Sequence, residues 1–237
     1  MLTRDPADVA AYAAQLAPRG IEAIAMPVTR WAPAADPGAL ARALATGPFE
    51  AIVVLSARGA AALARVLART AAPIWAVGPA TLQALAGAEL EAYHPPAVRD
   101  GAGLAHALVA SGITGRVLVP RADEGRTDAI DILRAADLEV VDVAAYRTVT
   151  VDANDPALAP GRVALAEGAV CGVFAPSQVT ALAALLGPLD RLTTRFCAIG
   201  ETTAAALRAA GIEPRVAAAP TPEAFATALA ALCSPAA

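Results

Sequence analysis

Hydroxyl side chains follow two glycine turns in this chain, at a spacing that suits the binding of anions. Gly78 is followed by Thr81, and Gly200 is followed by Thr202 and Thr203. In both places an apolar segment typical of a buried strand precedes the glycine, and an alanine-rich helix follows it. The first N–H groups of a helix have no partner within the helix, and the helix dipole favours negative charge there. These turns are therefore candidate sites for carboxylates or phosphates.

Each glycine turn has an upstream partner, in which a predicted strand ends at a serine. Ser56 precedes Gly78 at nearly the same distance at which Ser177 precedes Gly200. Two copies with matched spacing indicate an internal duplication. The alternative is that these serines and threonines only cap their helices, because both residue types are favoured at helix N-termini. The residues alone leave both interpretations open.

Tyr146 is the candidate acid. It lies in a predicted connector between two domains, where its side chain could reach a cleft. A phenol can donate a proton at neutral pH, but an unperturbed pKa near about 10 makes it an inefficient acid unless its surroundings tune it. The alternative is an amphipathic tyrosine that packs where the two domains meet.

Signatures of several other chemistries are missing. Gly101 and Gly103 lack the third glycine and the preceding strand of a dinucleotide-binding turn, and the chain has no lysine for a P-loop. His94 and His106 lack metal-ligand spacing, so we expect them to be packed or solvated. The net charge of −4, without a basic run, also argues against nucleic-acid binding.

The hydrophobic fraction of 57% and the mean hydropathy of +0.54 raise the question of a membrane span. The longest uncharged run, residues 168–189, is long enough, but glycines and prolines divide it into a predicted strand, turn and helix. No basic segment followed by an apolar core opens the chain, so no export signal is predicted. Cys171, Cys197 and Cys233 lack C-x-x-C spacing, and we predict free thiols in a reducing cytoplasm.

Predicted strands alternate with predicted helices along most of the chain. The strands are expected at residues 2–4, 21–28, 51–55, 74–77, 89–93, 116–120, 138–143, 170–175, 196–199 and 214–218. The helices are expected at residues 6–17, 58–69, 79–87, 101–110, 125–136, 178–186, 201–210 and 222–232. This alternation predicts an α/β fold with parallel sheets covered by helices on both faces. Ten strands suit two flavodoxin-like, five-stranded sheets better than one sheet.

The duplication predicts how the two sheets are divided between domains. Residues 2–30 align without a gap on residues 119–147, which places Arg4 on Arg121. The chain therefore begins with the unit that ends its middle segment, so the second copy is circularly permuted. We predict one discontinuous α/β domain, residues 1–32 plus 150–237, with a second domain, residues 36–144, inserted into it.

Two connectors are predicted to join these domains. They comprise residues 29–36 and 145–155, and we expect them to be irregular and to run side by side. The active-site cleft is expected between the two domains, because ligands of parallel α/β sheets bind beyond the carboxyl ends of the strands.

A set of short segments, in order and at fitting distances, resembles a known family. The segments are Thr3-Arg4, Pro27-Val28, Ser56-Ala57-Arg58-Gly59, Val77-Gly78-Pro79-Ala80-Thr81, Val117-Leu118-Val119-Pro120-Arg121 with Gly125-Arg126, Ala145-Tyr146-Arg147-Thr148, Pro176-Ser177 and Ile199-Gly200-Glu201-Thr202-Thr203. In these segments the chain resembles the uroporphyrinogen-III synthase family over nearly its whole length. The resemblance also implies the two-domain architecture, with one domain inserted into the other, that is predicted above.

This resemblance implies a reaction and a substrate. The substrate would be hydroxymethylbilane, a linear tetrapyrrole with eight carboxylates, which loses its hydroxyl as water and closes into uroporphyrinogen III with its last ring inverted. Tyr146 would assist departure of the hydroxyl. The side-chain carboxylates would be held by the turns and by one arginine, namely Arg4, Ser56, Gly78, Thr81, Ser177, Gly200, Thr202 and Thr203.

The resemblance also implies no metal or organic cofactor and a place in heme biosynthesis. We expect a cytoplasmic monomer that makes transient contact with porphobilinogen deaminase. The main alternative is a non-catalytic, two-lobed module that binds a polyanionic ligand for regulation and needs no acid at Tyr146. A third is a family member whose short first strand has cost it activity.

Overall fold

Helices and strands alternate through a mixed α/β fold. A computed structural model describes residues 1–233. The α-helices in that range are α1 (Pro6–Leu16), α2 (Ala39–Ala45), α3 (Ala57–Ala64), α4 (Pro79–Ala86), α5 (Gly101–Ala110), α6 (Asp128–Ala135), α7 (Ala159–Ala166), α8 (Pro176–Leu186), α9 (Glu201–Ala209) and α10 (Pro222–Cys233). The strands are β1 (Thr29–Pro33), β2 (Ala51–Val54), β3 (Ile74–Ala76), β4 (Ala92–Tyr93), β5 (Arg116–Ala122), β6 (Glu139–Thr150), β7 (Cys171–Val173), β8 (Phe196–Ala198) and β9 (Arg215–Val216).

The chain divides into two compact units. The first unit contains Met1–Arg30 and the chain from Val149 onward, and the second unit contains Trp31–Thr148.

The second unit carries most of a six-stranded sheet with the order β1-β6-β5-β2-β3-β4. The pairs β6/β5, β5/β2, β2/β3 and β3/β4 are parallel. Strand β2 is buried on both faces, since Ile52 and Val54 pack into one apolar cluster while Ala51 and Val53 pack into another. Burial on both faces is typical of a parallel sheet covered by helices, as predicted.

The first unit contains a parallel three-stranded sheet with the order β7-β8-β9. The prediction of two five-stranded sheets is therefore wrong in its strand counts. The segments expected as strands at residues 2–4 and 21–28 form only isolated parallel bridges, in which Leu2 pairs with Ala25 and with Gly172. Pro27 has no N–H to donate, which limits the second of these segments.

The connectors expected to be irregular are instead largely extended. Residues 29–33 form β1, and β6 continues to Thr150, and these two strands are neighbours in the six-stranded sheet. The prediction missed this because each segment gains its strand character from pairing with the other, which is a non-local interaction.

The two units have matching strand orders. In the first unit the order is Ala25, Leu2, β7, β8, β9, and in the second it is β6, β5, β2, β3, β4. The ungapped alignment places Leu2 on Val119 and Ala25 on Asp142. Leu2 bridges Ala25, and Val119 pairs with Asp142, so the register also matches.

An aromatic cluster fills part of the core of the first unit. The rings of Tyr12 on α1 and Phe225 on α10 have centroids 5.4 Å apart, and Phe174 contacts both. Within residues 1–233 no helix is long and apolar enough to cross a membrane. The uncharged run that raised this question forms β7, a turn and α8, as predicted.

Candidate functional site

Tyr146 lies in β6 where the pairing with β5 changes register. Arg121 pairs with Ala144, but the next residue of β5, Ala122, pairs with Tyr146, so Ala145 is an extra residue in β6. The N–H of Asp123 donates to the backbone carbonyl of Tyr146 at 2.9 Å. The irregularity therefore fixes the backbone that carries the phenol, which is half-buried.

Ser56 and Tyr146 are brought together by the fold. Ser56 is the N-cap residue of α3, and its Oγ accepts a hydrogen bond from the N–H of Gly59 at 3.0 Å. The same oxygen lies 2.9 Å from the phenol oxygen of Tyr146. The serine thus caps its helix, which confirms the capping interpretation, and it also contacts the candidate acid.

A cavity of about 230 Å³ lies beside this pair, within the second unit. Its lining includes Ser56 and Tyr146 together with residues that end β5 and begin α5 and α6. Two arginines, Arg121 and Arg126, line it, and so do Asp100 and Asp128. The cavity therefore carries side-chain charges of both signs.

The turn at Gly78 has the features expected of an anion site. Gly78 is the N-cap residue of α4 and offers no side chain to cap the helix, and Pro79 follows it. Thr81 is the third residue of the helix and is 3% exposed. Among residues 1–233 we find no hydrogen-bond partner for its hydroxyl. The turn follows β3, the neighbour of β2, so it lies at the same edge of the sheet as Ser56.

The turn at Gly200 repeats this arrangement in the first unit. Gly200 is the N-cap residue of α9 without a side-chain cap, and Thr203 is 3% exposed. Trp75 pairs with Val53 in one sheet, and Cys197 pairs with Gly172 in the other. When these two strand pairs are aligned, Thr203 takes the position of Thr81. Thr202 is exposed and has no counterpart hydroxyl in the other turn.

Ser177 does not occupy the place that its sequence match predicted. The N-cap residue of α8 is Ala175, and Ser177 is the second residue of that helix. The structural counterpart of Ser56 is therefore Ala175, and the matched serine pair is wrong in register. Pro176 at the first helical position starts α8 before the serine, because a proline there lacks only an N–H that would be unpaired anyway.

Arg4 follows Leu2 at the carboxyl edge of the first unit's sheet. Its guanidinium carbon lies 4.5 Å from the centroid of the Phe174 ring, and its nearest acidic atom is Asp8 Oδ2, at 3.6 Å. The Nε atom is buried and has no hydrogen-bond partner among residues 1–233. Stacking on the ring thus holds a cation whose donors are largely unused.

Sequence reasoning missed Asp142 and Gln178. Asp142 binds Arg121 through both carboxylate oxygens, at 2.7 Å and 3.0 Å. The side-chain oxygen of Gln178 accepts from the N–H of Phe174 and from the hydroxyl of Thr3. The ungapped alignment contained a signal for Asp142. Arg121 aligns with another arginine, Arg4, whereas Asp142 aligns with Ala25, so only one copy has a carboxylate at this position.

His94 and His106 lie apart from this site. The Nδ1 atom of His94 is 3.1 Å from the carbonyl oxygen of Ala76, and His106 is exposed on α5. Both fit the prediction of packed or solvated histidines.

Comparison with known proteins decides the family. The family model described as "Uroporphyrinogen-III synthase HemD" matches residues 10–227, which is most of the chain. The chain belongs to the uroporphyrinogen-III synthase family. It is therefore an enzyme of tetrapyrrole biosynthesis that cyclises hydroxymethylbilane, and the alternative of a non-catalytic binding module is not supported.

Solved structures from this family have a similar fold. A mutant uroporphyrinogen III synthase from the extremely thermophilic bacterium Thermus thermophilus is 21% identical, with 98% of this chain and 96% of that chain covered and a TM-score of 0.54. The uroporphyrinogen-III synthetase from Helicobacter pylori is 18% identical, with 89% and 92% covered and a TM-score of 0.62. No curated protein sequence matches the chain significantly.

Proposed function

We propose that Tyr146 is the acid that assists departure of the hydroxyl from hydroxymethylbilane, and that Ser56 supports it. The observation that carries this proposal is the 2.9 Å distance between Ser56 Oγ and the phenol oxygen of Tyr146, beside a cavity lined in part by charged side chains. A hydroxyl is a poor leaving group, and a proton delivered to it as the C–O bond breaks converts it to water.

The two hydroxyl groups have complementary roles in this step. One lone pair of Ser56 Oγ is used by the N–H of Gly59, which leaves its proton free to point at Tyr146. When Tyr146 gives its proton to the departing hydroxyl, Ser56 donates a hydrogen bond to the developing phenolate. The C–O electron pair leaves with the oxygen, and the pyrrole nitrogen supplies electrons to the carbon that remains. Closure of the ring later releases a proton, which restores the phenol.

Positioning is the larger part of the task. An azafulvene-like cation forms readily once water leaves, and a free bilane closes without inversion of its last ring. The protein must therefore hold both ends of the bilane in one geometry before the cation is captured. Backbone donors at helix N-termini suit this task, because they are fixed by the fold.

We propose that the carboxylates of the substrate are held by the turns of both units. In the second unit these are the N–H groups after Gly78 and the hydroxyl of Thr81, and in the first unit they are the N–H groups after Gly200 with Thr203. Arg4 fits the same role because its Nε lacks a partner among the described residues. Thr202 and Ser177 remain candidates at the first turns of their helices.

We also propose that the two units are flavodoxin-like domains, the second inserted into the first. If β5 of the second unit is counted as its first strand and β6 as its second, the strand order in the sheet is 2-1-3-4-5. The segments of the first unit have the same order, which supports this proposal. A reducing cytoplasm is supported by the buried free thiols of Cys171 and Cys197. A monomer, and transient contact with porphobilinogen deaminase, stay predictions.

A coupled assay tests the reaction and the proposed acid together. Porphobilinogen deaminase supplies fresh hydroxymethylbilane, and chromatography of the oxidised products separates the type I and type III isomers. We expect a large excess of type III over the protein-free control, and slower formation of the same isomer by Tyr146→Phe. Formation of type I alone by the wild-type chain would overturn the assignment of the reaction, and an unchanged rate in Tyr146→Phe would overturn the role of the tyrosine.

A further inference from the structure

We propose that Arg121 and Asp142 form a positioning device for Tyr146. This inference rests on the proposed role of Tyr146 and adds two residues whose hydrogen bonds go to each other and to the backbone and not to the phenol. They act through the backbone where β5 and β6 change register.

Arg121 holds two backbone carbonyls and one carboxylate at once. Its Nε and Nη2 donate to the two oxygens of Asp142 at 2.7 Å and 3.0 Å. Its Nη1 donates to the carbonyl oxygens of Ala122 and Asp123 at 2.7 Å and 2.8 Å. Asp142 is on β6, Ala122 is the last residue of β5 and Asp123 follows it, so the guanidinium ties one strand to the end of the other.

The tied segment is the one that pairs with Tyr146. Ala122 pairs with Tyr146 across the register shift, and the N–H of Asp123 donates to the carbonyl of Tyr146 at 2.9 Å. Arg121 therefore fixes the two residues that fix the tyrosine backbone. Loss of this tie lets the end of β5 move, and the phenol moves with it away from Ser56.

The alternative role for Arg121, which lines the cavity, is to bind a substrate carboxylate. A guanidinium has five N–H groups, and four of those of Arg121 are already used within the protein. Its side chain and that of Asp142 are only 18% and 19% exposed. The arginine thus has little donor capacity left for a ligand, which favours positioning.

The duplicated half of the chain supports the same assignment. The alignment of residues 2–30 with residues 119–147 places Ala25 on Asp142 and Thr29 on Tyr146. The copy without the tyrosine also lacks the aspartate, and its Arg4 is stacked on Phe174 instead of being clamped. The carboxylate clamp occurs only in the copy that carries the candidate acid.

The chain offers a matched control for testing this device. Arg116 and Glu139 form an ion pair, at 2.8 Å, between the same two strands at their other end. Asp142→Asn and Arg121→Lys are compared with Glu139→Gln and Arg116→Lys. Kinetics are measured with hydroxymethylbilane, and the Tyr146 signal is followed by NMR with ¹³Cζ-tyrosine, which labels only the three tyrosines of the chain.

We expect Asp142→Asn and Arg121→Lys to lower kcat by about 10- to 100-fold, with KM within about twofold, because a misplaced acid costs turnover rather than binding. The Tyr146 resonance should shift in both variants, the Tyr93 resonance should stay in place, and the control variants should change neither kcat nor the spectrum.

A Tyr146 resonance that is unmoved in both folded variants would overturn the positioning role, and so would a raised KM with unchanged kcat, which would make Arg121 a substrate ligand. A shifted resonance with both kcat and KM unchanged would support the positioning and overturn the catalytic role of Tyr146 instead. The two claims therefore fail separately.

Discussion

The hydroxyl of Ser56 and the phenol of Tyr146, 90 positions apart in the chain, lie 2.9 Å from each other. The serine follows the end of β2 and the tyrosine lies in β6, and β5 lies between these two strands in the sheet. The contact is possible because both side chains lie at the edge where the parallel strands end. It joins a helix-capping residue to the candidate acid.

Ser56→Ala should lower both stability and turnover. Removal of the cap of α3 should cost about 1 kcal/mol of unfolding free energy. Turnover should fall as well, since the phenolate loses its donor. In a double-mutant cycle with Tyr146→Phe, the effects on kcat should be far from additive, because both changes remove one shared interaction.

The control for the cap is Thr221→Ala, since Thr221 directly precedes α10, does not line the cavity beside Tyr146, and accepts a hydrogen bond from the N–H of Ala224 at 3.3 Å. It should lose comparable stability and show additive kinetics with Tyr146→Phe. Additive kinetics for Ser56→Ala as well would separate the serine from the chemistry and leave it as a cap.

Thr81→Val and Thr203→Val should raise KM while kcat changes little. Each removes a buried hydroxyl beside free helix N–H groups but keeps the shape of the side chain. A hydrogen bond to a carboxylate contributes about 1.5–3 kcal/mol, which corresponds to a rise in KM of about tenfold or more. Initial rates over a range of bilane concentrations measure this.

Thr180→Val, at an exposed position of α8, is the control for the threonine variants and should have wild-type kinetics. If Thr81→Val lowers only the melting temperature, the threonine is a structural residue of the turn and not a substrate ligand.

Part of the fold was predictable because the duplication carries long-range information. The alignment of residues 2–30 on residues 119–147 placed Leu2 on Val119 and Ala25 on Asp142. In the structure Leu2 bridges Ala25, and Val119 pairs with Asp142. Helix α5 begins and ends where predicted, since Asp100 is a strong N-cap and Gly112 lies just beyond its last residue.

Other features depended on contacts that a local pattern does not contain. Helix α7 was missed because Pro160 and Gly161 look like breakers, but the proline lies in the first turn and the glycine packs against Met26. The contact of Ser56 with Tyr146 and the clamp of Arg121 by Asp142 both join distant segments. They could be recognised only after the strands had been paired.

Gly161→Ala should destabilise the first unit. A Cβ at this helical position would lie 2.3 Å from Cβ of the fully buried Met26, and neither atom can rotate away. The cost of overpacking, about 1–3 kcal/mol, should exceed the gain in helix propensity of about 1 kcal/mol. Urea unfolding followed by circular dichroism measures the difference.

Gly87→Ala is the matched control, since its Cβ would meet only ordinary contacts, of which the shortest is 3.4 Å. It should be neutral or slightly stabilising. Wild-type stability of Gly161→Ala would show that α7 can move off Met26 without cost.

The buried thiols should be unreactive in the folded protein. Burial raises the pKa of both the Cys171 and Cys197 thiols to about 12, whereas Cys233 is exposed. Labelling with a disulfide reagent at pH 8 should therefore modify one thiol quickly, and all three after unfolding. Cys233→Ser should abolish the fast phase, and rapid labelling of the remaining thiols would contradict their burial.

The buried thiols also determine how the stability of the fold changes with pH. In the unfolded chain they ionise near their ordinary value of 9.0, but in the folded protein they stay protonated to about 12. The folded state binds more protons in this window, so stability should fall as pH rises from about 9. Thermal unfolding at several pH values, with Cys171→Ala as comparison, measures this contribution.

The most direct test of the account is the turnover number of Tyr146→Phe with hydroxymethylbilane. This change removes one oxygen and keeps the ring, so folding and KM should stay close to wild type while kcat falls by at least about tenfold, as expected for loss of a general acid. Tyr93→Phe, at an exposed position of the same unit, should have wild-type kinetics. A kcat of Tyr146→Phe equal to that of the wild type would contradict the central claim, because departure of the hydroxyl would then need no proton from this residue.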